Sequence, residues 1–269
     1  MIELPTERRK AVNYNPKLIV LFGRPKSGKS TLMASLENNL IIDLEDGYRA
    51  LDVMAVRARN SKDLFEIRDA LRQKMGSPDG AYPYKYITID NATRLEEFSL
   101  SYAATLYRNT PMGQGWGMLK DPKNPMVNLK DAHGKFIPDP KADVRILPNG
   151  SGYLYLRKAV KECIEMFKPF CETLILVAHV KDKMIQKNGE EMSEMAVDLA
   201  GKLGDIICGE ADAIGLIYRQ GNKTLISFEG GDSTIKEARP LHLRGKKFIV
   251  AESDENNNIK VDMSKIFLN

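Results

Sequence analysis

Residues 18–36 read LIVLFGRPKSGKSTLMASL, and this stretch predicts the fold of the chain around it. Five consecutive apolar residues run into a glycine-rich turn, and a helical pattern follows the turn. From Gly23 to Ser30 the turn fits G-x-x-x-x-G-K-[ST], with a strand before it and a helix after it, as that pattern requires. The segment therefore predicts a P-loop, a backbone cradle for nucleotide phosphates.

Nine consecutive residues form the predicted ATP-binding loop. The two glycines of the pattern let the backbone turn closely, so that the amides of residues 26–31 point at phosphate oxygens beside the positive end of the helix dipole. We expect Lys29 to reach the β- and γ-phosphates, Ser30 to supply a hydroxyl to Mg²⁺, and Thr31 to contact the α-phosphate. The complete predicted set is Gly23, Arg24, Pro25, Lys26, Ser27, Gly28, Lys29, Ser30 and Thr31.

A second apolar segment, YKYITID at residues 84–90, ends in Asp90. An aspartate at this place in a P-loop site holds magnesium. The competing interpretation is that Asp90 caps the following helix, but Asn91 or Thr93 can fill that role. We therefore predict Asp90, together with Ser30, as a residue of the metal site.

Composition places the chain among ordinary globular proteins. Of 269 residues, 43% are hydrophobic and 28% charged, and the formal net charge of +4 permits an anionic partner without requiring one. Cys163, Cys171 and Cys208 form neither a metal-type pair nor a disulfide framework, and we expect the first two to be buried, inert thiols. No apolar run has the length of a membrane span and no signal-peptide core is present, so we expect a cytoplasmic protein.

Strand patterns alternate with helix patterns along most of the chain. Helical patterns cover roughly residues 29–37, 61–75, 94–108 and 153–170. The strand-like segments are KLIVLF, NLIIDLE, YKYITID, TLILVAHV, DAIGLIYRQ and KTLISFEG. The earlier ones are apolar throughout, as in strands that are covered on both faces. The alternation predicts the α/β class, with a mainly parallel central sheet flanked by helices.

Two segments interrupt this alternation. Residues 109–152 are rich in glycine and proline and too long for an ordinary connection, and residues 181–204 are polar, with an expected turn at Asn188-Gly189. We interpret both as functional loops or small subdomains, with tolerated surface insertions as the alternative. The predicted organisation is a single domain over residues 1–269, with an N-terminal extension (1–16), an insertion (109–152) and a C-terminal tail (251–269).

Hydrolysis needs a group that positions or deprotonates a water beside the γ-phosphate. In many ATPases a glutamate directly follows the strand aspartate, but Asn91 occupies that position here. The acidic cluster at the end of NLIIDLE offers Glu45 and Asp43 instead, at the edge of a parallel sheet where ligands bind. The alternative interpretation of this cluster is a solvated acidic turn.

Together these features resemble the RecA family of ATPases. In that family the catalytic glutamate ends the strand after the P-loop helix, which is the position of Glu45, and the ALD at residues 50–52 is similar as well. The segment TLILVAHVKDK places His179 where RecA-like proteins have a polar residue, often glutamine, that senses the γ-phosphate; histidine is a departure. The loop GRPKSGKST is most similar to that of phage-encoded single-strand-annealing recombinases, and the resemblance covers roughly residues 18–250.

The resemblance implies a RecA-like P-loop NTPase core that uses ATP and Mg²⁺, binds single-stranded DNA and assembles into a homo-oligomer, either a ring or a filament. It also implies a setting in recombination, annealing or replication of DNA, with a single-strand-binding protein as a further partner. A neighbouring subunit is expected to supply a cation to the γ-phosphate, from Arg239 or, second, Arg244; a basic solvated edge is the alternative. The predicted catalytic set is Glu45, Lys29, His179 and Arg239.

We expect the DNA site in the two irregular segments, because proteins that bind single strands combine cations with aromatic surfaces. The insertion offers Trp116, the only tryptophan, whose alternative role is to anchor the packing of the insertion. The expected cations are Lys120, Lys123, Lys181, Lys183 and Lys187.

Two other functions share the P-loop. A small-molecule or nucleotide kinase needs an acceptor pocket and an arginine-rich lid, whereas residues 109–152 contain several lysines and one arginine, Arg145. A nucleotide-gated adaptor binds ATP and recruits other proteins with little turnover, and Asn91 in place of glutamate keeps this interpretation open.

Overall fold

The computed structural model describes residues 4, 6–8, 10–75, 81–187, 190–231 and 235–268, with the backbone alone for residues 185–187 and 190–192. Its helices are α1 Lys29–Ala34, α2 Ser61–Lys74, α3 Ala92–Arg108, α4 Gly152–Glu165 and α5 Leu203–Glu210. Its strands are β1 Leu18–Gly23, β2 Asn39–Asp43, β3 Met54–Arg57, β4 Tyr84–Asp90, β5 Lys120–Asp121, β6 Asn124–Asn128, β7 Cys171–Lys187, β8 Glu190–Val197, β9 Ala213–Gln220, β10 Lys223–Ser227, β11 Glu237–Ala238, β12 Lys247–Ser253 and β13 Ile259–Val261. Short 3-10 helices lie at Pro111–Gly113, Val144–Ile146, Pro148–Gly150 and Lys168–Phe170.

Among the described residues, eleven strands form one sheet in the order β13-β12-β10-β9-β1-β7-β4-β2-β3, with β8 paired to β7 and β11 to β9. The strands from β9 to β3 in this order are parallel to their neighbours, and the remaining pairings are antiparallel. β1 therefore lies inside the sheet, and β7 separates it from β4. The predicted α/β class is confirmed: the central sheet is mainly parallel and helices flank it.

Apolar clusters cover both faces of the sheet. Helices α2 to α5 pack on one face and contribute Leu64, Leu95, Leu156 and Ile207 to a single buried cluster. On the other face, α1 and the C-terminal segment build a second cluster through Leu32, Ile266 and Phe267. Because both faces are covered, β1 is buried along its whole length, which explains why its sequence is a continuous apolar run.

The predicted helices are present, with different ends. α3 begins at Ala92, two residues earlier than expected, because the Asn91 side chain accepts a hydrogen bond from the amide of Arg94 and caps the helix. α1 ends earlier than expected, at Ala34. The segment predicted as helix over residues 153–170 divides into α4 and a 3-10 turn near Pro169, which has no amide hydrogen to donate.

Residues 181–204, expected as a polar loop or subdomain, consist largely of strand and helix. β7 continues past His179 to Lys187, and β8 returns antiparallel to it, with Val180 opposite Val197. The turn expected at Asn188-Gly189 lies outside the described residues. β7, which pairs with β1 in the core, therefore continues beyond the edge of the parallel sheet and forms a β-hairpin with β8.

The insertion at residues 109–152 contains the β5–β6 hairpin and three of the 3-10 turns. Trp116 of the insertion packs edge-on against Tyr107 of α3, and the centroids of the two rings are 5.2 Å apart. Trp116 is only partly buried, yet it packs against the core cluster that α3 helps to form. This position fits the anchoring role that was the alternative interpretation of this tryptophan.

The C-terminal tail belongs to the same sheet and core. β12 and β13 pair across the expected polar turn, and Ile266 and Phe267 are buried. The three cysteines are buried and unbridged, and burial raises the pKa of Cys163 and of Cys171 to about 11, so both thiols stay protonated at neutral pH. Within the described residues, none of the helices combines the length and apolar character that crossing a bilayer requires.

Candidate nucleotide-binding site

The loop between β1 and α1 has the backbone that the P-loop pattern predicts. A Cβ atom at Gly23 would lie 2.4 Å from the carbonyl oxygen of Ile217 on β9, so only glycine fits there. Gly28 and Lys26 both adopt left-handed backbone, with φ of 97° and 63°; such strain in a non-glycine residue is common at functional sites. The Ser27 hydroxyl is buried and has no hydrogen-bond partner within the described residues. A cradle that excludes side chains and keeps an unpaired polar atom fits a phosphate group.

Lys29 lies at the first turn of α1 and is only 7% exposed. Its Nζ donates hydrogen bonds of 2.9 Å to the carbonyl oxygens of Gly23 and Arg24, which hold the ammonium at the mouth of the loop. Burial lowers the pKa of Lys29, while the nearby charges of Asp90 and Glu45 oppose that shift. The charge predicted for the β- and γ-phosphates is therefore placed at the loop.

A tyrosine lies beside both predicted metal-site residues. The Tyr48 hydroxyl donates to the carboxylate of Asp90 at 2.6 Å, and the side chain of Ser30 is near that hydroxyl. Asp90 is 7% exposed, and burial raises its pKa, partly offset by the hydrogen bond from Tyr48. A carboxylate and a hydroxyl at one point supply the hard oxygen ligands that Mg²⁺ prefers, so the residues fit the predicted ion.

Asp43 and Glu45, the two candidates for the catalytic base, have different surroundings. One carboxylate oxygen of Asp43 accepts hydrogen bonds from the amides of Glu45, Asp46 and Gly47, and Asp43 is buried. Asp43 therefore shapes the turn after β2. The Glu45 side chain is 40% exposed and makes no hydrogen bond within the described residues. Of the two carboxylates, Glu45 is the one available to a water molecule.

His179 lies between Asn91, at the start of α3, and Glu45, in the turn after β2. Its Nε2 atom is 3.0 Å from Nδ2 of Asn91 and 3.7 Å from a carboxylate oxygen of Glu45. Its backbone pairs with Gly23, because β7 and β1 are adjacent and parallel. The parallel register thus brings together His179, Glu45 and Asp90, which are far apart in the sequence.

A cavity of about 460 Å³ connects these groups. Its walls include Lys29, Asp90 and His179, and also Arg219, a residue that the sequence did not single out. Arg219 lies near the end of β9, which neighbours β1, and its side chain makes no hydrogen bond or ion pair to any other described residue. Tyr48 was missed as well. The strand alternation around Arg219 was visible in the sequence, but nothing there showed that β9 borders the P-loop.

Arg239 lies elsewhere. Its guanidinium donates to the carbonyl of Gly209 at 2.9 Å and pairs with Asp212 at 3.5 Å, and Asp212 accepts hydrogen bonds from the amides that begin β1. Arg239 is therefore at the amino edge of the sheet, opposite its own P-loop. Arg244 donates to the carbonyls of Ala238 and Arg239. Both arginines have structural partners within the chain, and a role of either in a neighbouring subunit stays a prediction.

The lysines expected to bind DNA are mostly paired. Lys181 donates to the carbonyl of Leu199, and Lys183 pairs with Asp205 at 2.9 Å. Lys120 donates to Asn128, whereas Lys123 is exposed. The side chain of Lys187 lies outside the described residues.

A different basic site lies between the start of α4 and the segment that precedes α5. A cavity of about 280 Å³ there is lined by Tyr153, Arg157 and Lys202 together with glycine backbone. The side chains of Arg157 and Lys202 have no hydrogen bond or ion pair with any part of the chain that the structure describes. The amino ends of α4 and α5 both border the cavity, which adds positive potential. No pattern in the sequence indicates that these two cations meet.

Comparisons with known proteins agree with a P-loop nucleotide site. A family described as an AAA domain (AAA_24) matches residues 15–135, which include the P-loop, Glu45 and Asp90. No significant match was found among curated protein sequences. Among solved structures, a crystal structure of the RadB recombinase is similar over 93% of this chain and 92% of its own, with 12% identity and a TM-score of 0.46. That level of similarity does not by itself support an argument about function.

Proposed function

We propose that the chain is an ATPase that binds Mg²⁺-ATP at the P-loop and hydrolyses the γ-phosphate with Glu45 as the general base. The observation that carries the proposal is the Glu45 carboxylate, which makes no hydrogen bond and lines a cavity together with Lys29 and Asp90. A base, a phosphate cation and oxygen ligands for a metal then surround one volume. This combination supports hydrolysis better than nucleotide binding alone.

The proposed chemistry uses these groups in fixed roles. Glu45 takes a proton from a water molecule, whose oxygen bonds to the γ-phosphorus while the bond from that phosphorus to the β–γ bridging oxygen breaks, giving ADP and phosphate. Lys29 stabilises negative charge on the β- and γ-phosphates. Mg²⁺, held by Ser30 and Asp90, supplies further positive charge when it is bound.

Arg219 is our candidate for an additional cation at the γ-phosphate. It lines the same cavity from β9 and has no partner among the described residues, so its charge is available to an anion. His179 lies on β7, where the strand leaves its pairing with β1. We propose that it contacts the γ-phosphate and transmits the state of that phosphate to the β7–β8 hairpin. The sequence resemblance places a DNA-binding loop directly after this residue.

We further propose that the chain binds single-stranded DNA and assembles as a homo-oligomer in recombination, annealing or replication. Arg157 and Lys202 support a phosphodiester-binding role, because two unpaired cations and two helix amino ends face one cavity. The cavity is near the hairpin, because Ala200, which lines the cavity, comes just after β8. This segment is held to α3 by hydrogen bonds of Thr93 and Glu96 to the backbone of Asp198 and Ala200. The phage setting and the single-strand-binding partner rest on the sequence resemblance alone.

ATP turnover by the purified chain, with Mg²⁺ and with or without an oligothymidine strand, tests the first proposal. We expect turnover that the strand increases. Binding of ATP without release of phosphate from any preparation would favour the adaptor, and transfer of the γ-phosphate to a small acceptor would favour the kinase. Either result would overturn the ATPase assignment.

DNA binding is tested by fluorescence anisotropy of a labelled oligothymidine over a range of salt concentrations. We expect the double substitution Arg157→Ala, Lys202→Ala to lower the slope of log K against log salt by about 1.4, the value for two single-strand phosphate contacts. Lys158→Ala is the matched control, because Lys158 is on the same helix and pairs with Glu162. Equal slopes for the double variant and the control would contradict this site.

A further inference from the structure

Asn91 makes two hydrogen bonds that together fix the orientation of its side-chain amide. Its Oδ1 accepts from the amide of Arg94 at 3.1 Å and so caps α3. The oxygen is thereby assigned, and the group that faces Nε2 of His179 at 3.0 Å is the Nδ2 amine, which can only donate. Turning the amide over would bring two donors together at the helix cap, so the cap determines what His179 meets.

A donor that faces Nε2 requires a lone pair on that nitrogen. His179 is then a neutral imidazole whose single proton is on Nδ1. The Nδ1 atom is buried and has no hydrogen-bond partner within the described residues, so no acceptor there favours a proton on that nitrogen. The tautomer is therefore assigned from the Asn91 side of the ring.

We propose that Asn91 is a positioning residue that keeps the proton of His179 away from the catalytic base. This inference rests on the proposed role of Glu45. The Nε2 atom is 3.7 Å from the Glu45 carboxylate. If Nε2 carried a proton, a small rotation would let it donate to Glu45, and a carboxylate that accepts such a bond is a weaker base. With a lone pair on Nε2, no such bond forms and Glu45 remains available to water.

The residue at position 91 thus has a specific task in this chain. A glutamate there would itself be a candidate base, whereas asparagine serves the base on the neighbouring strand through His179. Asn91 also joins the start of α3 to the end of the core part of β7, which continues into the hairpin. Its task needs a cap acceptor and a donor on two separate atoms of one side chain; aspartate has no donor, and the single hydroxyl oxygen of serine or threonine lies one bond short of the carboxamide oxygen and nitrogen.

The tautomer can be measured directly by two-dimensional ¹H–¹⁵N NMR of the ¹⁵N-histidine-labelled protein at pH 8. The chain has three histidines, and His179→Gln identifies the signal of interest. We expect the Nδ1–H tautomer in the unsubstituted protein. Asn91→Asp keeps a cap acceptor and has no donor, and in Asn91→Ser the hydroxyl that caps the helix is one bond too short to occupy the position of Nδ2. In both variants we expect the Nε2–H tautomer or the imidazolium. An Nε2–H tautomer in the unsubstituted protein would overturn the inference, and so would an Nδ1–H tautomer that persists in both variants.

Asn60→Ser is the matched control for helix capping, because Asn60 caps α2 in the same way through the amide of Asp63 and lies away from the cavity. We expect this control to leave the His179 signal and turnover unchanged. For Asn91→Ser we expect kcat to fall about tenfold with KM for ATP unchanged; a rise in KM alone would contradict the positioning role. The NMR result does not depend on turnover. A protein without ATPase activity would contradict the proposed function, and the tautomer could still be measured on it.

Discussion

The two edges of the parallel sheet both carry charged side chains, but they treat them differently. At the amino edge, Asp212 accepts from the backbone of β1 and pairs with Arg239, which also binds the carbonyl of Gly209. At the carboxyl edge, the Glu45 carboxylate makes no hydrogen bond and has His179 at 3.7 Å, and the side chain of Arg219 has no partner among the described residues. The charges of Asp212 and Arg239 at the amino edge are satisfied within the chain, whereas those of Glu45 and Arg219 at the carboxyl edge are left available.

This difference indicates which arginine serves which purpose. An ion pair that also holds backbone groups contributes to folding, and its loss leaves polar groups without partners. An arginine that faces a cavity without a partner gains its hydrogen bonds from a ligand. The family resemblance, which implied a role for Arg239 at a neighbouring phosphate, does not distinguish the two cases. The following experiments test the contrast, beginning with the largest expected effect.

Lys29→Ala is expected to lower turnover by ~10³-fold, because it removes the main side-chain charge on the β- and γ-phosphates. The fold should persist, since the glycines and the backbone shape the loop. Steady-state phosphate release and far-ultraviolet circular dichroism measure the two effects. Lys62→Ala, at an exposed lysine of α2, is the control and should change neither. Normal turnover by a folded Lys29→Ala protein would refute the ligand role of the carboxyl edge.

Glu45→Gln should lower kcat by ~10²-fold while ATP binding is retained, because an amide cannot accept the proton of the attacking water. Asp43→Asn should cost much less, because its oxygen can still accept from the amides of the turn after β2. Single-turnover kinetics and equilibrium ATP binding compare the two variants. A loss in Asp43→Asn that equals the loss in Glu45→Gln would make Asp43 the base.

Arg219→Ala and Arg239→Ala compare the two edges directly. We expect the first to lower turnover about tenfold with an unchanged melting temperature. The second should lower the free energy of unfolding by about 1 kcal/mol, because it removes the hydrogen bond to Gly209 and the pair with Asp212. Phosphate release and thermal unfolding of both proteins provide the measurements.

Mixing Arg239→Ala with Lys29→Ala subunits tests whether Arg239 also acts across a subunit interface. If Arg239 acts in trans, Arg239→Ala is inactive alone, each variant lacks a different half of a shared site, and mixed assemblies contain some interfaces with both halves intact. Recovery of turnover on mixing two inactive proteins would then show that an arginine of the amino edge serves a neighbouring phosphate site. Normal turnover by Arg239→Ala alone, or a mixture that stays inactive although the proteins co-assemble, would leave the contrast between the edges unbroken.

Asp90→Asn should stabilise the nucleotide-free protein by about 1 kcal/mol at pH 8 while weakening Mg²⁺-dependent ATP binding. Burial raises the pKa of Asp90 in the folded state, so the folded protein binds that proton more tightly than the unfolded one. The free energy of unfolding therefore falls as pH rises above the ordinary aspartate range and through the raised value. We expect the stabilisation to be smaller at pH 5 than at pH 8 in thermal unfolding. The opposite trend would show that the carboxylate is stabilised where it lies.

The sequence predicted the core well because its patterns are local. The P-loop, the strand that ends in Asp90 and the helices between the strands all appeared where expected. The sequence does not predict the β7–β8 hairpin, because its strands are polar and the polar segment 181–204 indicates a loop or small subdomain. Their alternation is weak, and the pairing of Val180 with Val197 is a contact between residues that are not adjacent in the sequence.

What the sequence determined by itself is the identity of the phosphate loop and the class of the fold, since a glycine pattern and apolar periodicity need only neighbouring residues. What only the tertiary structure decided is which side chains share the site. Strand order put β7 and β9 on either side of β1, and this brought His179 and Arg219 to the cavity. It also placed Arg239 at the opposite edge. The physical reason is that strand order and register arise from packing across the whole sheet, and no short segment contains that information.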